Sequence, residues 1–218
     1  MADHAGRLPF GAERGRIVLL TTRDGLAARA GHDLTIEITR WSAELEVYDD
    51  LSPAGLIVRA DMNSLAVREG TGGVKPLTDR DRREIAVTAR RLLGAERQPE
   101  ATFTASGFEP GDSGGVVHGT LSLNGTSQPL TLDVRKTGDA AYHATGSVRQ
   151  TAFGIKPYTA FLGVLKVSDA VGIAVDVQLP GGVANGGVAN GGVANGGVAN
   201  GGDSTANGGT TDGSGDRL

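Results

Sequence analysis

The chain has 218 residues and a formal net charge of −4, with 39% apolar and 21% charged residues. This length suits one β domain with a sizeable core, and the acidic balance argues against a nucleic-acid partner. No cysteine is present, which excludes disulfides, thiolate metal sites and cysteine nucleophiles.

The N-terminal segment, MADHAGRLPFGAERGR, contains no apolar stretch of the kind that directs secretion. Elsewhere, no apolar run approaches the roughly 20 residues that span a bilayer. We therefore expect a cytoplasmic protein with no stable membrane insertion.

Short runs of alternating apolar and polar residues, separated by turn residues, dominate the first 180 positions. Every odd position of 171–179 is apolar, and so is every even position of 34–38, which is typical of half-buried strands. Antiparallel strands of this kind close into an up-and-down barrel or pack as a sandwich. We predict eight main strands and a ninth, near residues 15–23, 31–39, 41–48, 55–61, 100–108, 115–124, 127–136, 141–150 and 170–179.

The dipeptide Asn124-Gly125 lies between two of these predicted strands. Asn-Gly is the residue pair that two-residue hairpin turns favour, because both of its members adopt positive φ readily. We expect a tight hairpin at this point.

One segment changes period. From Thr78 to Gly94 the apolar residues recur at helical spacing, beginning with Ile85 and Ala89. Thr78 and Asp81 form an N-terminal capping signature. We expect a single helix against one end of the barrel. Its arginines alternate with acidic residues, so they indicate a solvated face rather than a binding patch.

The C-terminal segment repeats GGVAN four times between Gly181 and Asn200. One valine in five residues buries too little apolar surface to offset the entropy of ordering the chain. We therefore divide the chain into a folded domain, 1–180, and a disordered Gly-rich tail, 181–218.

The predicted barrel interior contains many small residues. Its small positions are Ala101, Ala105, Gly107, Ala144, Gly146 and Gly119, in phase with Phe103, Leu121 and Val148. A barrel of eight strands holds either a packed core or one ligand, and small side chains leave room for the ligand. Alternatively, small residues simply allow the strands to approach closely.

Several motifs occur in a familiar order. They are Gly31-His32-Asp33-Leu34, Lys75-Pro76-Leu77-Thr78 with Asp81-Arg82, Pro99-Glu100-Ala101-Thr102-Phe103, Gly119-Thr120-Leu121-Ser122-Leu123-Asn124-Gly125-Thr126 and Thr151-Ala152-Phe153-Gly154-Ile155-Lys156-Pro157-Tyr158. Together they resemble the YceI-like family over about residues 15–180. The resemblance implies an all-β fold, an extended eight-stranded antiparallel lipocalin-like barrel with one helix. It also implies a long tunnel that binds amphiphiles with isoprenoid tails, such as polyprenyl chains or isoprenoid quinones.

The leading hypothesis is a binding or carrier protein for an isoprenoid lipid or quinone-like amphiphile, with no catalytic activity and no cofactor. A homodimer is compatible with it. The isoleucine at position 36, Ile36, is the candidate ligand-binding position. The aromatic residues expected around the tail are Trp41, Phe103, Phe153 and Phe161, and the polar groups expected near the head are His32, Lys156 and Tyr158.

Two alternatives stay open. A small enzyme acting on the same kind of molecule would need a second titratable group beside His32. Asp33 does not supply it, because adjacent strand residues point to opposite faces. A structural or stress-associated barrel with a filled interior is the other alternative. The four histidines are scattered, so we expect no metal site.

Overall fold

The structure, a computed structural model, describes residues 4–180, with side chains from residue 6 onward except that of residue 161. The predicted tail, 181–218, lies outside the described residues. The helix α1 spans Asp79–Leu92. The strands are β1 His4–Gly11, β2 Gly15–Asp24, β3 His32–Ile38, β4 Trp41–Tyr48, β5 Pro53–Asp61, β6 Leu65–Gly72, β7 Glu100–Gly111, β8 Gly114–Leu123, β9 Thr126–Gly138, β10 Ala141–Arg149, β11 Thr159–Ala160 and β12 Leu165–Gln178.

The strands form one curled antiparallel sheet, in the order β1-β4-β5-β7-β8-β9-β10-β12-β2-β3-β6, with β11 paired to β12. The strand count of the sequence analysis was too low, because β1, β6 and β11 were missed. In β6 the apolar residues end at Val67, and the remaining five residues are polar or glycine. In β1 the alternation is interrupted by Pro9, which is tolerated because β1 is an edge strand paired only with β4.

A long hairpin, residues 32–72, joins the two edges of this sheet. Its first arm is β3 and β4, and its second arm is β5 and β6. The arms pair with each other on both sides of a corner, with Ile38 opposite Leu65 and Trp41 opposite Ala60. Beyond the corner, β5 pairs with β7, whereas before it β3 pairs with β2. At the corner the first arm therefore changes its outer partner, from β2 along β3 to β1 along β4.

The corner is fixed by Ser64, the one buried polar residue among those described. Its hydroxyl donates to the Asp61 carbonyl at 2.7 Å and accepts from the Arg40 backbone N–H at 3.0 Å. The Thr39 hydroxyl donates to the Ser64 carbonyl at 2.9 Å. Backbone groups that leave the regular ladder at the bend thus keep hydrogen-bond partners, as buried groups require.

The helix follows the sequence-based expectation closely. Thr78 and Asp81 form the predicted capping box, and hydrogen bonds from the Thr78 backbone and hydroxyl lower the pKa of Asp81. The predicted solvated arginine face is confirmed by ion pairs of Arg80 with Glu84 and of Arg82 with an acid one turn away. The helix packs against β6. No helix within residues 4–180 is both long and apolar enough to cross a membrane.

The predicted hairpin at Asn124-Gly125 is confirmed. Leu123 and Thr126 are paired on either side of it. Both turn residues have positive φ, 50° for Asn124 and 72° for Gly125, as a two-residue hairpin turn of type I′ requires. The turn thereby sets the register of β8 against β9.

On the outer face, charged residues link three neighbouring strands. Asp176 of β12 lies opposite His143 of β10 and Arg16 of β2. His143 Nδ1 donates to the carboxylate at 2.6 Å, and Arg16 Nε donates at 2.8 Å. The hydrogen bond from His143 lowers the pKa of Asp176; partial burial opposes this shift and Arg16 reinforces it.

Replacing the corner hydroxyl should weaken the fold. Ser64→Ala leaves the Arg40 N–H and the Asp61 carbonyl without their side-chain partner, so we expect a loss of about 1–3 kcal/mol in the free energy of unfolding. Urea denaturation measures it. The control Ser127→Ala, at an exposed hydroxyl, should cost about 0.5 kcal/mol or less. Equal effects of the two changes would show that the corner does not depend on Ser64.

Acid should weaken the fold through Asp176. Because folding lowers its pKa, the ionised carboxylate stabilises the folded state above the ordinary value of 3.8. That stabilisation disappears as the pH falls through and below this value. Asp176→Asn should therefore be less stable than the parent near neutral pH but lose less stability on acidification, as measured by urea midpoints.

The matched change Asp112→Asn tests whether this effect belongs to Asp176. Asp112 is exposed in the β7–β8 turn and forms no ion pair with any other described residue. Asp112→Asn should keep the acid dependence of the parent. If both variants respond to acid alike, Asp176 is not the residue responsible.

Candidate functional site

The candidate site is the inner face of the sheet, which we define as the face that carries the buried core. Residues opposite each other on neighbouring strands share a face. Phe103 lies opposite Leu121, and Ala105 lies opposite Gly119. In β10, Val148 shares its face with the small residues Ala144 and Gly146. Ala144 lies opposite Val175 of β12, and Gly146 lies opposite Ile173. The register therefore confirms that these small residues share the inner face with large apolar ones.

Gly107 is an exception, and its predicted inner position was wrong. A β-bulge between Ala105 and Gly107 shifts the register, so that Gly107 lies opposite His118 on the outer face. Phe108 takes the inner position instead, opposite Val117. A bulge inserts one residue and reverses the phase of the strand beyond it, which simple alternation does not reveal.

Two of the inner glycines do not open space. A Cβ placed on Gly119 would lie 2.5 Å from ring carbons of Phe103, and one placed on Gly146 would lie 2.7 Å from a methyl of Leu132. Large neighbours therefore cover both positions. At these two sites the alternative explanation, that small residues allow close approach, is the one that the structure supports.

Most of the predicted tail-binding residues are buried. The exposed fractions are 5% for Ile36, 8% for Trp41, 6% for Phe103 and 2% for Phe153. Ile36, Trp41 and Phe153 belong to one hydrophobic cluster, in which the ring of Trp41 packs edge-on against Phe10 with centroids 6.1 Å apart. The side chain of residue 161 lies outside the described part of the structure.

A second part of the inner face is less deeply buried. Five inward-facing side chains are only half-buried and lie outside both the buried cluster and the apolar layer packed against it; this lining group comprises Phe108, Val117, Leu132, Val134 and Ile173. Its members adjoin one another across the strands from β7 to β12. Phe108, Val117 and Leu132 are consecutive partners, and Val134 lies opposite Ala144.

The predicted head-group residue His32 lies at the end of the sheet opposite to the one that carries Lys136 and Tyr142. His32 Nε2 donates to the Lys75 carbonyl at 2.9 Å. Asp33 instead accepts from the Arg23 backbone N–H at 2.8 Å, so the two adjacent residues have separate partners, as expected. Lys156 and Tyr158 are exposed. Within residues 4–180 no hydrogen bond or ion pair joins either of them to His32.

Sequence reasoning missed two sets of polar groups. Lys136 and Tyr142 lie opposite each other on the inner phase, next to the lining group. The signal was present, because Lys136 continues the even-numbered alternation that runs through Leu132 and Val134 in β9. In addition, Trp41 Nε1 and Thr21 Oγ1 are buried and have no hydrogen-bond partner within the described protein. Burial of single atoms in this way has no sequence signal.

The described residues 4–180 contain no group of three or more His, Asp or Glu side chains placed to hold a metal ion. Lys136 and Tyr142 lie at one border of the inner face, and the lining group beside them is apolar. Such a surface is suited to contact a long apolar molecule.

Comparisons with known proteins agree with this geometry. The family model of the YceI-like domain matches residues 21–179. A UPF0312 protein of Yersinia enterocolitica is 26% identical over 117 residues, which cover 50% of this chain and 56% of that protein. A UPF0312 protein of Yersinia pseudotuberculosis matches to the same extent. The chain thus matches a little over half the length of these curated relatives.

Solved structures show the same fold. Burkholderia cenocepacia BcnA superposes with a TM-score of 0.52 at 17% identity, over 76% of this chain and 96% of that one. A mutant YceI protein of Campylobacter jejuni gives a TM-score of 0.51 at 18% identity, over 65% of this chain and 81% of its own. Since the family model covers well over half of the sequence and the sheet agrees with these structures, the chain belongs to the YceI-like family.

Proposed function

We propose that the inner face binds an isoprenoid lipid or a similar long amphiphile, such as an isoprenoid quinone, and that the protein carries this molecule without transforming it. The observation that carries the proposal is the lining group. Its side chains point inward yet remain half-buried. Apolar side chains directed inward normally lose nearly all contact with water, so this part of the interior has room beside it.

The lining group explains why the ligand would be long and apolar. Its members lie on β7, β8, β9 and β12 and form one apolar surface, in which β10 contributes the small residues Ala144 and Gly146 between β9 and β12. Each methylene buried against such a wall gains about 0.8 kcal/mol from the hydrophobic effect. A flexible chain of isoprene units offers many such groups along a narrow path. A compact polar metabolite offers few methylene or methyl groups to bury.

The connectivity supports an elongated interior. The strand β2 pairs with the first arm of the bent hairpin, the two arms pair with each other, and the second arm pairs with β7. Hydrogen-bonded strands therefore connect β2 to β7 through the hairpin. Counting each arm as a single strand, the circuit contains β2, the two arms, β7, β8, β9, β10 and β12. We propose that these eight form the lipocalin-like barrel implied by the family resemblance.

We place the polar head beside Lys136 and Tyr142. These residues continue the inner phase directly beyond Val134 and Ala144, so a tail lying along the lining group ends next to them. Lysine supplies a cation and donors for an oxygen-rich head. The border near His32 is the other candidate position, and a Lys136→Met variant separates the two, because only the first position loses affinity.

Carriage rather than catalysis is supported by where the titratable pairs lie. The His143–Asp176 pair has the short geometry of an acid–base pair, but it stands on the outer face, opposite Arg16. His32 donates to a backbone carbonyl instead of a carboxylate. A general acid or base must reach the reacting group of a bound molecule.

The cytoplasmic location remains a prediction.

Filling the space proposed beside the lining group should weaken binding. Ala144→Leu, alone and combined with Ala105→Leu, adds bulk beside the lining group, so an isoprenoid tail loses contacts worth at least about two methylenes. We expect affinity for a farnesyl-chain fluorophore to fall about tenfold or more. Trp41, the single tryptophan, supplies a second readout because its emission should change when a quinone with an isoprenoid tail binds to the parent.

The matched control is Ala170→Leu, the same change at an exposed position of β12. It should bind the fluorophore as the parent does. Unchanged affinity of the double variant would contradict binding beside Ala105 and Ala144. If instead both inner variants unfold while Ala170→Leu remains folded, the interior is already packed, and the filled-barrel alternative replaces the proposal.

A further inference from the structure

Large apolar side chains are exposed in three loops that connect strand ends. These loops are 25–31 between β2 and β3, 73–77 before α1, and 156–164 between β10 and β12. Their exposed apolar residues, which we call the apolar rim, are Leu26 at 97%, Val74 at 86%, Tyr158 at 42%, Val164 at 40% and the fully exposed Leu162. Only two other large apolar residues among those described are comparably exposed.

Direct contacts hold the three loops at the same end of the sheet. Ala27 N–H donates to the Val164 carbonyl at 2.9 Å, which joins the first loop to the third. The ring of His32, at the start of β3, donates to the Lys75 carbonyl at 2.9 Å, which joins the first loop to the second. The apolar rim is therefore one continuous border and not a set of scattered side chains.

Leu162 shows that this exposure is built into the backbone. It has a φ of 56°, a left-handed conformation that is uncommon for a branched apolar residue. The loop thus adopts a costly backbone conformation at a residue whose side chain lies entirely in solvent.

The same loops are basic. The loops 25–31, 73–77 and 156–164 contain three cationic residues, Arg29, Lys75 and Lys156, and no acidic one. Lys166, the second residue of β12, adds a fourth cation beside them, opposite Asp24. All four are exposed, and none forms an ion pair within the described residues. The whole chain carries −4, so the three loops are opposite in charge to the rest of the protein.

We infer that the apolar rim docks on the surface of an anionic lipid bilayer. Exposed aliphatic and tyrosine side chains enter the boundary between head groups and acyl chains, while flanking lysine and arginine contact anionic head groups. A symmetric pair of copies is disfavoured, because it would bring four cations of one chain against four of the other. The inference does not depend on the ligand of the inner face.

Sedimentation of the full chain with vesicles tests the docking. Vesicles of phosphatidylcholine and phosphatidylglycerol in roughly equal parts should bind the parent at least about tenfold more tightly than phosphatidylcholine alone. Raising the salt concentration should weaken binding, since exposed charges are screened. The variant Leu26→Ser with Leu162→Asn should lose binding, as should the combined replacement of the four cations by glutamine. Asparagine is chosen because it tolerates the left-handed backbone.

The matched control is Leu20→Thr, an exposed leucine on the outer face of β2, opposite Gly172 and away from the loops. It should bind vesicles as the parent does. Vesicle binding that is unchanged in the loop variants, or equal for neutral and anionic vesicles, would overturn the inference. So would gel filtration showing a parent dimer that these variants convert to a monomer, because the rim would then be an interface between copies.

Discussion

The corner of the long hairpin is the constraint on which the sheet depends. At the corner the outer partner of the first arm changes from β2, paired with β3, to β1, paired with β4, while the second arm pairs with β7 through β5. The cost of the bend is a set of backbone groups removed from the regular ladder, and Ser64 supplies the partners for two of them. A single buried hydroxyl thereby satisfies two backbone groups at the point where the hairpin bends.

Curling gives the two faces different chemistry. The outer face is stabilised by charged cross-strand contacts such as that of Asp176 with His143, and such contacts weaken in acid. The inner face is aliphatic but unevenly filled. Around Trp41 and Phe153 the side chains pack into a closed cluster, whereas around Val134 and Ile173 they do not. The proposed binding function rests on that unevenness rather than on the number of small residues.

Local patterns predicted most of the elements. Alternation located the strands with long apolar phases, the Thr78–Asp81 pair located the start of the helix, and Asn124-Gly125 located a hairpin. The predictions that failed concern features that depend on other strands or on irregularities within a strand. The sequence analysis missed β6 because the strand is polar from Arg68 onward. It placed Gly107 on the wrong face because a β-bulge between Ala105 and Gly107 reverses the alternation. The space beside Gly119 is filled by the ring of Phe103 from the neighbouring strand β7, and no pattern within β8 indicates this.

Native mass spectrometry of the protein, purified from its host without organic solvent, tests most directly whether the inner face holds a ligand. A carrier of isoprenoid amphiphiles should show the mass of the chain plus one bound molecule. Dissociation should release a species with an isoprenoid fragmentation series. A bare chain mass, together with a solvent extract free of isoprenoids and no uptake of added isoprenoid quinone, would contradict carriage and favour a filled interior.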